Sequence, residues 1–129
     1  MPGEKILLAD DDTEVLNILV KRLRQNNYEV MGFASGRDLI ANAKLFNPDL
    51  VMLDIVMPDI DGYSVACALR EEKDLPDTPI IFMTAQELEY EAAQKKIAEI
   101  GRCSFITKSR TFEELLAKIR ETLAGPEDK

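Results

Sequence analysis

The sequence alternates short apolar runs with longer amphipathic segments, and this alternation constrains the fold more than any other feature. Each apolar run, at 5–9, 28–34, 50–53, 80–83 and 103–107, precedes a segment of helical pattern, at 13–24, 37–46, 63–73, 87–100 and 111–123. Short, continuously apolar runs are typical of strands buried on both faces. Strands that alternate with helices form a parallel sheet covered by helices on both sides. We therefore predict a single doubly wound α/β domain.

Length and charge limit the possible functions of this domain. The 129 residues suffice for one hydrophobic core, so we assign 1–124 to the domain and 125–129 to a flexible tail or the start of a linker. A net charge of −8 gives no indication of direct nucleic-acid binding. No apolar stretch approaches the ~18 residues of a membrane-spanning helix, and the acidic N-terminal segment is not a signal peptide. We expect a soluble, cytoplasmic protein without a membrane partner.

Polar side chains stand at the end of four of the five predicted strands, in a chain that has no histidine. The absence of histidine excludes Ser-His and Cys-His nucleophilic arrangements and leaves carboxylates, hydroxyls, lysine and a hard metal ion. Ligands of open α/β sheets bind at the carboxyl ends of the strands, where these polar residues should meet. The residues concerned are Asp10 and Asp11 after the first strand, Asp54 after the third, Thr84 after the fourth and Lys108 after the fifth.

Together these side chains predict phosphoryl-transfer chemistry that depends on Mg²⁺. Clustered carboxylates repel one another unless a cation neutralises them, and all-oxygen ligands suit Mg²⁺. Lys108 and the Thr84 hydroxyl supply a positive charge and a donor for the oxygens of a phosphoryl group. Taken alone, Asp54 is equally compatible with a turn that ends its strand, and Asp10 and Asp11 with ordinary charges at a helix N-terminus.

At this point the sequence resembles the receiver domains of two-component response regulators. The resemblance runs from about Lys5 to Leu123. It rests on the acidic pair after KILLA, on Asp54 in MLDIVMPDIDG, on Thr84-Ala85 after IIFM and on Lys108 in SFITKS. The resemblance implies a flavodoxin-like (βα)5 sandwich whose five-stranded parallel sheet has the order 2-1-3-4-5.

The resemblance also implies a role for each site residue. Asp54 would accept a phosphoryl group from the phosphohistidine of a sensor histidine kinase or phosphotransfer protein. Asp11, Asp54 and the backbone carbonyl of Val56 would bind Mg²⁺, with Asp10 acting through a bound water. Lys108 would pair first with the Asp54 carboxylate and then with a phosphoryl oxygen.

The implied output is a conformational switch in a signalling domain that is not an enzyme. Thr84 would move toward the phosphoryl group, small Ala85 would leave room for it, and Phe105 would turn into the vacated space. The fourth helix, the last strand and the last helix would form the face for a downstream effector protein or domain. A phosphorylation-dependent dimer is compatible with this scheme.

The sequence departs from the family pattern near the expected site. Ser109 follows Lys108 where the family usually has a proline after a cis peptide. A cis bond before a residue other than proline costs ~2.5 to 4 kcal/mol, so a trans bond is an alternative here. Whether the Lys108 side chain reaches the site therefore stays open. Phe105 replaces a common tyrosine and lacks its hydroxyl. Val56 and Glu87 occupy positions where the family adjusts loss of phosphate. Because an apolar Val56 gives attacking water no partner, we predict slow loss.

Leu16 and Val20 have two interpretations. They lie four residues apart on the first predicted helix, beside the apolar stripe of Val15, Ile18, Leu19 and Leu23. In one interpretation they form an apolar patch next to the site, where kinases of the family dock. In the other, they extend the buried stripe.

Two other functions compete with the switch. The segment Asp10-Asp11-Asp12 also fits the D-x-D motif of haloacid-dehalogenase-type phosphatases. That family needs a second acidic pair after its lysine, and Glu113-Glu114 falls inside a predicted helix. A receiver-like scaffold that no longer cycles is the second alternative, because Ser109 alters the loop that follows Lys108.

Overall fold

The computed structural model describes residues 3–72, 74–84, 90–108 and 110–125, without the side chains of residues 90 and 91. Five parallel strands pair in the order β2-β1-β3-β4-β5, so the predicted doubly wound sandwich and its strand order are confirmed. The strands are β1 Lys5–Ala9, β2 Glu29–Phe33, β3 Leu50–Asp54, β4 Ile80–Thr84 and β5 Cys103–Thr107. The helices are α1 Thr13–Gln25, α2 Gly36–Phe46, α3 Gly62–Glu71, α4 Tyr90–Ile100 and α5 Phe112–Ala124.

Local capping explains where several helices begin and end. Side chains at the N-terminus of α1, α2, α3 and α5 accept hydrogen bonds from backbone N–H groups of the first turn; these are Asp12, Ser35, Asp61 and Thr111. Thr111 and Glu114 form a reciprocal capping box, so α5 begins one residue later than predicted. Gly101, with φ of 86°, donates its N–H to the Ile97 carbonyl and ends α4 as expected.

The apolar core lies on both faces of the sheet. Helices α1 and α5 cover one face with Leu16, Leu23, Leu115, Leu116 and Ile119. Helices α2 and α3 cover the other with Leu39, Ala43, Val65, Ala66 and Leu69. Every residue of the central strand β3 is buried, as its unbroken apolar sequence predicts. Because β3 is buried along its whole length, packing fixes the position of Asp54, its last residue.

Helix α1 buries a different set of residues from the predicted one. Leu16 is 7% exposed and Val20 is partly buried against the core, whereas Ile18 is 57% exposed. The cause is Gly32 on β2: a Cβ there would lie 2.7 Å from Val20 Cγ2 and 2.9 Å from Leu16 Cδ1. Since Gly32 has no side chain, α1 packs closely over it. Of the two interpretations of Leu16 and Val20, the structure supports the second, in which they extend the core, and contradicts the exposed apolar patch.

Arg70 joins the loops at the amino-terminal edge of the sheet, opposite the edge at which Asp54 lies. Its half-buried guanidinium donates to four backbone carbonyls over 2.5 to 3.3 Å, those of Leu75, Thr78, Ile100 and Gly101. Burial lowers the pKa of this side chain. One arginine on α3 thus holds together the connections that enter β4 and β5.

Among the helices of the described residues, none is long and apolar enough to cross a lipid bilayer.

Candidate functional site

The carboxyl ends of β1, β3, β4 and β5 bring the predicted polar residues to one edge of the sheet. Asp10 directly follows β1, and Asp54 and Thr84 are the last residues of β3 and β4. All three are buried, with exposures of 0%, 7% and 8%. Thr84 pairs in register with Thr107, and its carbonyl accepts the Lys108 N–H at 2.7 Å. Parallel pairing therefore carries Lys108 to the same edge.

Lys108 bridges two buried carboxylates. Its Nζ lies 2.8 Å from Asp10 Oδ2 and 3.1 Å from Asp54 Oδ2. The other oxygen of Asp10 accepts the backbone N–H of Asp12 at 3.0 Å. The other oxygen of Asp54 accepts the N–H of Val56 in a long contact of 3.4 Å. One ammonium group is therefore shared between two carboxylates.

Burial and the shared charge shift the acid–base properties of this group. Burial raises the pKa of Asp54, and the neighbouring Asp10 adds to the increase, although Lys108 partly opposes it. Burial lowers the pKa of Lys108, but Asp10 and Asp54 outweigh this effect and raise the pKa overall. The pKa of Asp54 is therefore raised mainly by burial, whereas that of Lys108 is raised by its two carboxylate partners.

Three acidic residues have the arrangement of a cation site. Asp10, Asp11 and Asp54 each offer a carboxylate oxygen, and these oxygens lie within 4.8 Å of one another. Apart from its ion pair with Lys108, the buried Asp10 Oδ2 receives no hydrogen bond within the described residues. Asp11 is exposed and opens the group to solvent. Because all three donors are hard oxygens, the site fits a divalent cation such as Mg²⁺.

The loop after β3 passes directly against the backbone of Asp54. Gly62 donates its N–H to the Ile55 carbonyl at 2.8 Å, and a Cβ at this position would lie 2.5 Å from the Asp54 carbonyl oxygen. Only glycine allows this close approach. At the start of α3, Asp61 accepts the Ser64 N–H at 2.8 Å. Val56 lies in this loop, two residues after Asp54, and its apolar side chain is 77% exposed.

Phe105 belongs to an aromatic cluster under α4. Its ring centroid lies 5.6 Å from that of Phe82 and 6.5 Å from that of Tyr63, which it meets edge-on. Phe105 is partly buried. Three other residues of the sequence prediction, Ala85, Glu87 and Ser109, lie outside the described residues.

Asp59 is a site-loop residue that sequence reasoning missed. Its carboxylate accepts hydrogen bonds from Ser35 Oγ at 2.8 Å, Arg37 N at 3.0 Å and Gly36 N at 3.4 Å. The Arg37 N–H, together with Ser35 and Gly36, lowers the pKa of Asp59 to about 2. The partners lie more than twenty residues away, and the sequence around Asp59 signals only a turn.

Beside Lys108 an apolar groove of about 200 Å³ separates α1 from the start of α5. Its apolar lining includes Val15, Ile18, Leu19, Phe112 and Leu115. Three basic side chains edge it, those of Arg22, Lys108 and Arg110, and the Arg22 guanidinium lies 4.0 Å from the centroid of the Phe112 ring. On α1, the exposed apolar residue that lines this groove is therefore Ile18, rather than Leu16 or Val20.

The comparison with known protein families agrees with this arrangement. The model of the response regulator receiver domain matches residues 6–120. The chain belongs to this family. As a receiver, it is a signalling domain of two-component systems.

Known receivers and regulators show how far the similarity extends. The probable transcriptional regulator ycf27 of Cyanophora paradoxa is 38% identical over 97% of this chain and 50% of its own length. The transcriptional regulator RpaA of Synechocystis is 32% identical over 92% and 48%. The receiver thus spans about half the length of these relatives. A putative response regulator structure from Chloroflexus aurantiacus is 30% identical over 95% of this chain and 98% of that chain, with a TM-score of 0.83.

A chemotaxis protein supports the fold alone. The structure of CheY4 from Vibrio cholerae covers 93% of this receiver and 98% of its own chain, with a TM-score of 0.85 and 24% identity. At this identity the match supports the flavodoxin-like architecture and carries no residue roles.

Proposed function

We propose that this receiver is a phosphorylation-dependent switch whose acceptor is Asp54. The observation that carries the proposal is the bridge of Lys108 between Asp10 and Asp54 at the sheet edge. An Asp54 oxygen attacks the phosphorus of a phosphohistidine on a sensor histidine kinase or phosphotransfer protein. A new O–P bond forms while the N–P bond breaks, and the bonding electrons return to the imidazole.

The residues around Asp54 each contribute a separate function. Asp11, Asp54 and the carbonyl of Val56 would hold Mg²⁺, and Asp10 would contribute through a bound water. When bound, Mg²⁺ supplies positive charge that offsets the oxygens of the phosphoryl group. Lys108 moves its ion pair from the Asp54 carboxylate to a phosphoryl oxygen.

The conformational response begins at the end of β4. The Thr84 hydroxyl moves to donate to the phosphoryl group, next to the small Ala85, and Phe105 turns into the vacated space. The new packing changes the face formed by α4, β5 and α5, which binds a downstream effector or a second receiver. Curated relatives are transcriptional regulators about twice as long, so a DNA-binding effector outside this domain is the output that we favour. The domain itself contacts no nucleic acid and works in the cytoplasm.

The groove between α1 and the start of α5, which Ile18 lines, is the surface that we propose for the phosphodonor. It lies beside Lys108, so a partner seated there would approach the acceptor edge. Arg22 and Arg110 at its edge favour an apolar partner segment flanked by acidic residues. This surface replaces the Leu16 and Val20 patch, which was one of the two interpretations of the sequence.

The direct test is phosphorylation of the purified protein by acetyl phosphate in the presence of Mg²⁺. We expect stoichiometric labelling that mass spectrometry locates on Asp54 and that is absent from Asp54→Asn. Thr13→Ala serves as a control for a neighbouring hydroxyl and should label normally. Repeated turnover of a generic phosphate monoester would instead indicate a haloacid-dehalogenase-type phosphatase. Failure to label or to respond to beryllofluoride with Mg²⁺ would indicate a scaffold.

A further inference from the structure

We infer that Asp59 is a positioning residue: by joining the loop after β3 to the start of α2, it holds the Val56 carbonyl where Mg²⁺ can use it. This inference rests on the proposed function, because it concerns the same cation site. Asp59 itself would contact neither the cation nor the phosphoryl group. It acts through the backbone of residues 55–62, the segment that we call the acceptor loop.

The contacts of Asp59 tie the acceptor loop to a separate helix. Its Oδ2 accepts from the Ser35 hydroxyl at 2.8 Å and from the Arg37 N–H at 3.0 Å, and its Oδ1 accepts from the Gly36 N–H at 3.4 Å. Backbone N–H groups at a helix N-terminus lack partners within the helix and carry a partial positive charge. A carboxylate from the acceptor loop therefore satisfies two of them.

Apolar packing supports the same junction. Met57 is buried, and its Cε lies 3.3 Å from the position that a Cβ of Gly36 would occupy. Ile60 Cγ2 lies 2.6 Å from that position. The side chains on both sides of Asp59 thus pack against the residue whose N–H it accepts, and α2 serves as a fixed support for the loop.

Val56 depends on such support because its own side chain is 77% exposed. Within the described part of the chain, its N–H makes only the long contact of 3.4 Å with Asp54. The neighbours of Val56 must therefore set the direction of its carbonyl. The Gly62 N–H bond to Ile55 anchors the loop at its base, while Asp59 anchors it to α2 beyond Val56. Loss of the second anchor lets the segment between them move.

The test compares Mg²⁺ binding to four proteins by isothermal titration calorimetry at constant ionic strength. Asp59→Ala removes the anchor, and Asp59→Asn keeps an oxygen that accepts from Ser35 and Arg37 without the charge. Asp49→Ala is the matched control. Asp49 is also exposed and accepts a backbone N–H, that of Lys5 at 2.8 Å, but it stands at the opposite end of β3.

We expect Asp59→Ala to weaken Mg²⁺ binding by about three- to tenfold, at or below the low end of effects seen for groups that orient metal ligands. Asp59→Asn and Asp49→Ala should keep the wild-type affinity. In the metal-free protein, hydrogen exchange at the Arg37 and Val56 amides should be faster in Asp59→Ala than in Asp49→Ala.

Equal Mg²⁺ affinity of Asp59→Ala and wild type would overturn the inference and leave Asp59 as a helix cap. Equal weakening in Asp59→Asn and Asp59→Ala would also overturn it, because the lost charge would then explain the result. If Asp59→Ala does not fold, Ser35→Ala removes one contact without altering charge and should still weaken binding. If the wild-type protein itself binds no Mg²⁺, the proposed function fails instead, and the two failures are distinct.

Discussion

Replacement of Lys108 by methionine should destabilise the metal-free protein, because it leaves two buried carboxylates without their common cation. Methionine keeps most of the length and apolar surface of the side chain and removes the ammonium group. Asp10 is completely buried and Asp54 nearly so, so neither carboxylate can recover full hydration. The variant therefore tests the electrostatic interaction rather than the packing of the lysine stem.

The structure sets the size of the effect. Removing one partner of a fully buried ion pair costs about 3 to 5 kcal/mol. The Lys108 side chain is 24% exposed, so solvent already weakens the pair in the wild type. We therefore expect a loss of about 2 kcal/mol, between the buried and the surface cases. With a urea dependence of about 1.5 kcal/mol per M, the unfolding midpoint should fall by about 1.3 M.

Urea unfolding followed by far-ultraviolet circular dichroism, at pH 7 with a chelator, measures this loss. Lys21→Met on the exposed side of α1 is the matched control and should change stability by less than about 0.5 kcal/mol. Asp54→Asn should be neutral or stabilising, because Asp10 then has Lys108 to itself. Adding Mg²⁺ should recover part of the loss in Lys108→Met. Equal midpoints for Lys108→Met and Lys21→Met would refute the reasoning.

Four further predictions use other contacts. In the same urea assay, Arg70→Met should lower the free energy of unfolding by about 3 kcal/mol, which is about 1 kcal/mol for each of its three shorter hydrogen bonds. Arg110 is exposed, so the control variant Arg110→Met should change the free energy of unfolding by less than about 0.5 kcal/mol. The lowered pKa of Asp59 adds stability that is present above about pH 4 and is lost as the pH falls toward 2. The difference in unfolding free energy between wild type and Asp59→Asn should therefore shrink as the pH falls across that range. Val56→Asn should speed loss of the acyl phosphate, measured after removal of the phosphodonor; an unchanged decay rate would count against a shielding role. Ile18→Glu should slow phosphotransfer from a kinase but not from acetyl phosphate, and equal slowing with both donors would contradict the docking surface.

The architecture and the main polar residues were predictable because their signals are local. Unbroken apolar runs identify the strands, and the first polar residue after each run marks its carboxyl end. Parallel topology then brings Asp10, Asp54, Thr84 and Lys108 together without any knowledge of side-chain packing. The strand order 2-1-3-4-5 came from the family resemblance rather than from these patterns.

The errors and omissions concern contacts between distant segments. Periodicity on α1 cannot show that Gly32, on another element, lets Leu16 and Val20 enter the core and turns Ile18 outward. Turn chemistry around Asp59 likewise cannot show which helix receives its carboxylate. Both outcomes depend on how two elements pack, and a one-dimensional pattern contains no such information.

The acceptor edge combines an unfavourable electrostatic cluster with closely packed surroundings. Buried Asp10 and Asp54 repel each other, and Lys108 alone offsets both within the described residues. The buried strand β3, the close approach of Gly62 and the junction with α2 oppose relaxation of the backbone beneath this cluster. The same repulsion makes the edge responsive, because a cation or a transferred phosphoryl group changes the balance of charge around Lys108. Rigid support and residual repulsion therefore act together: the first retains the geometry, and the second makes that geometry sensitive to binding.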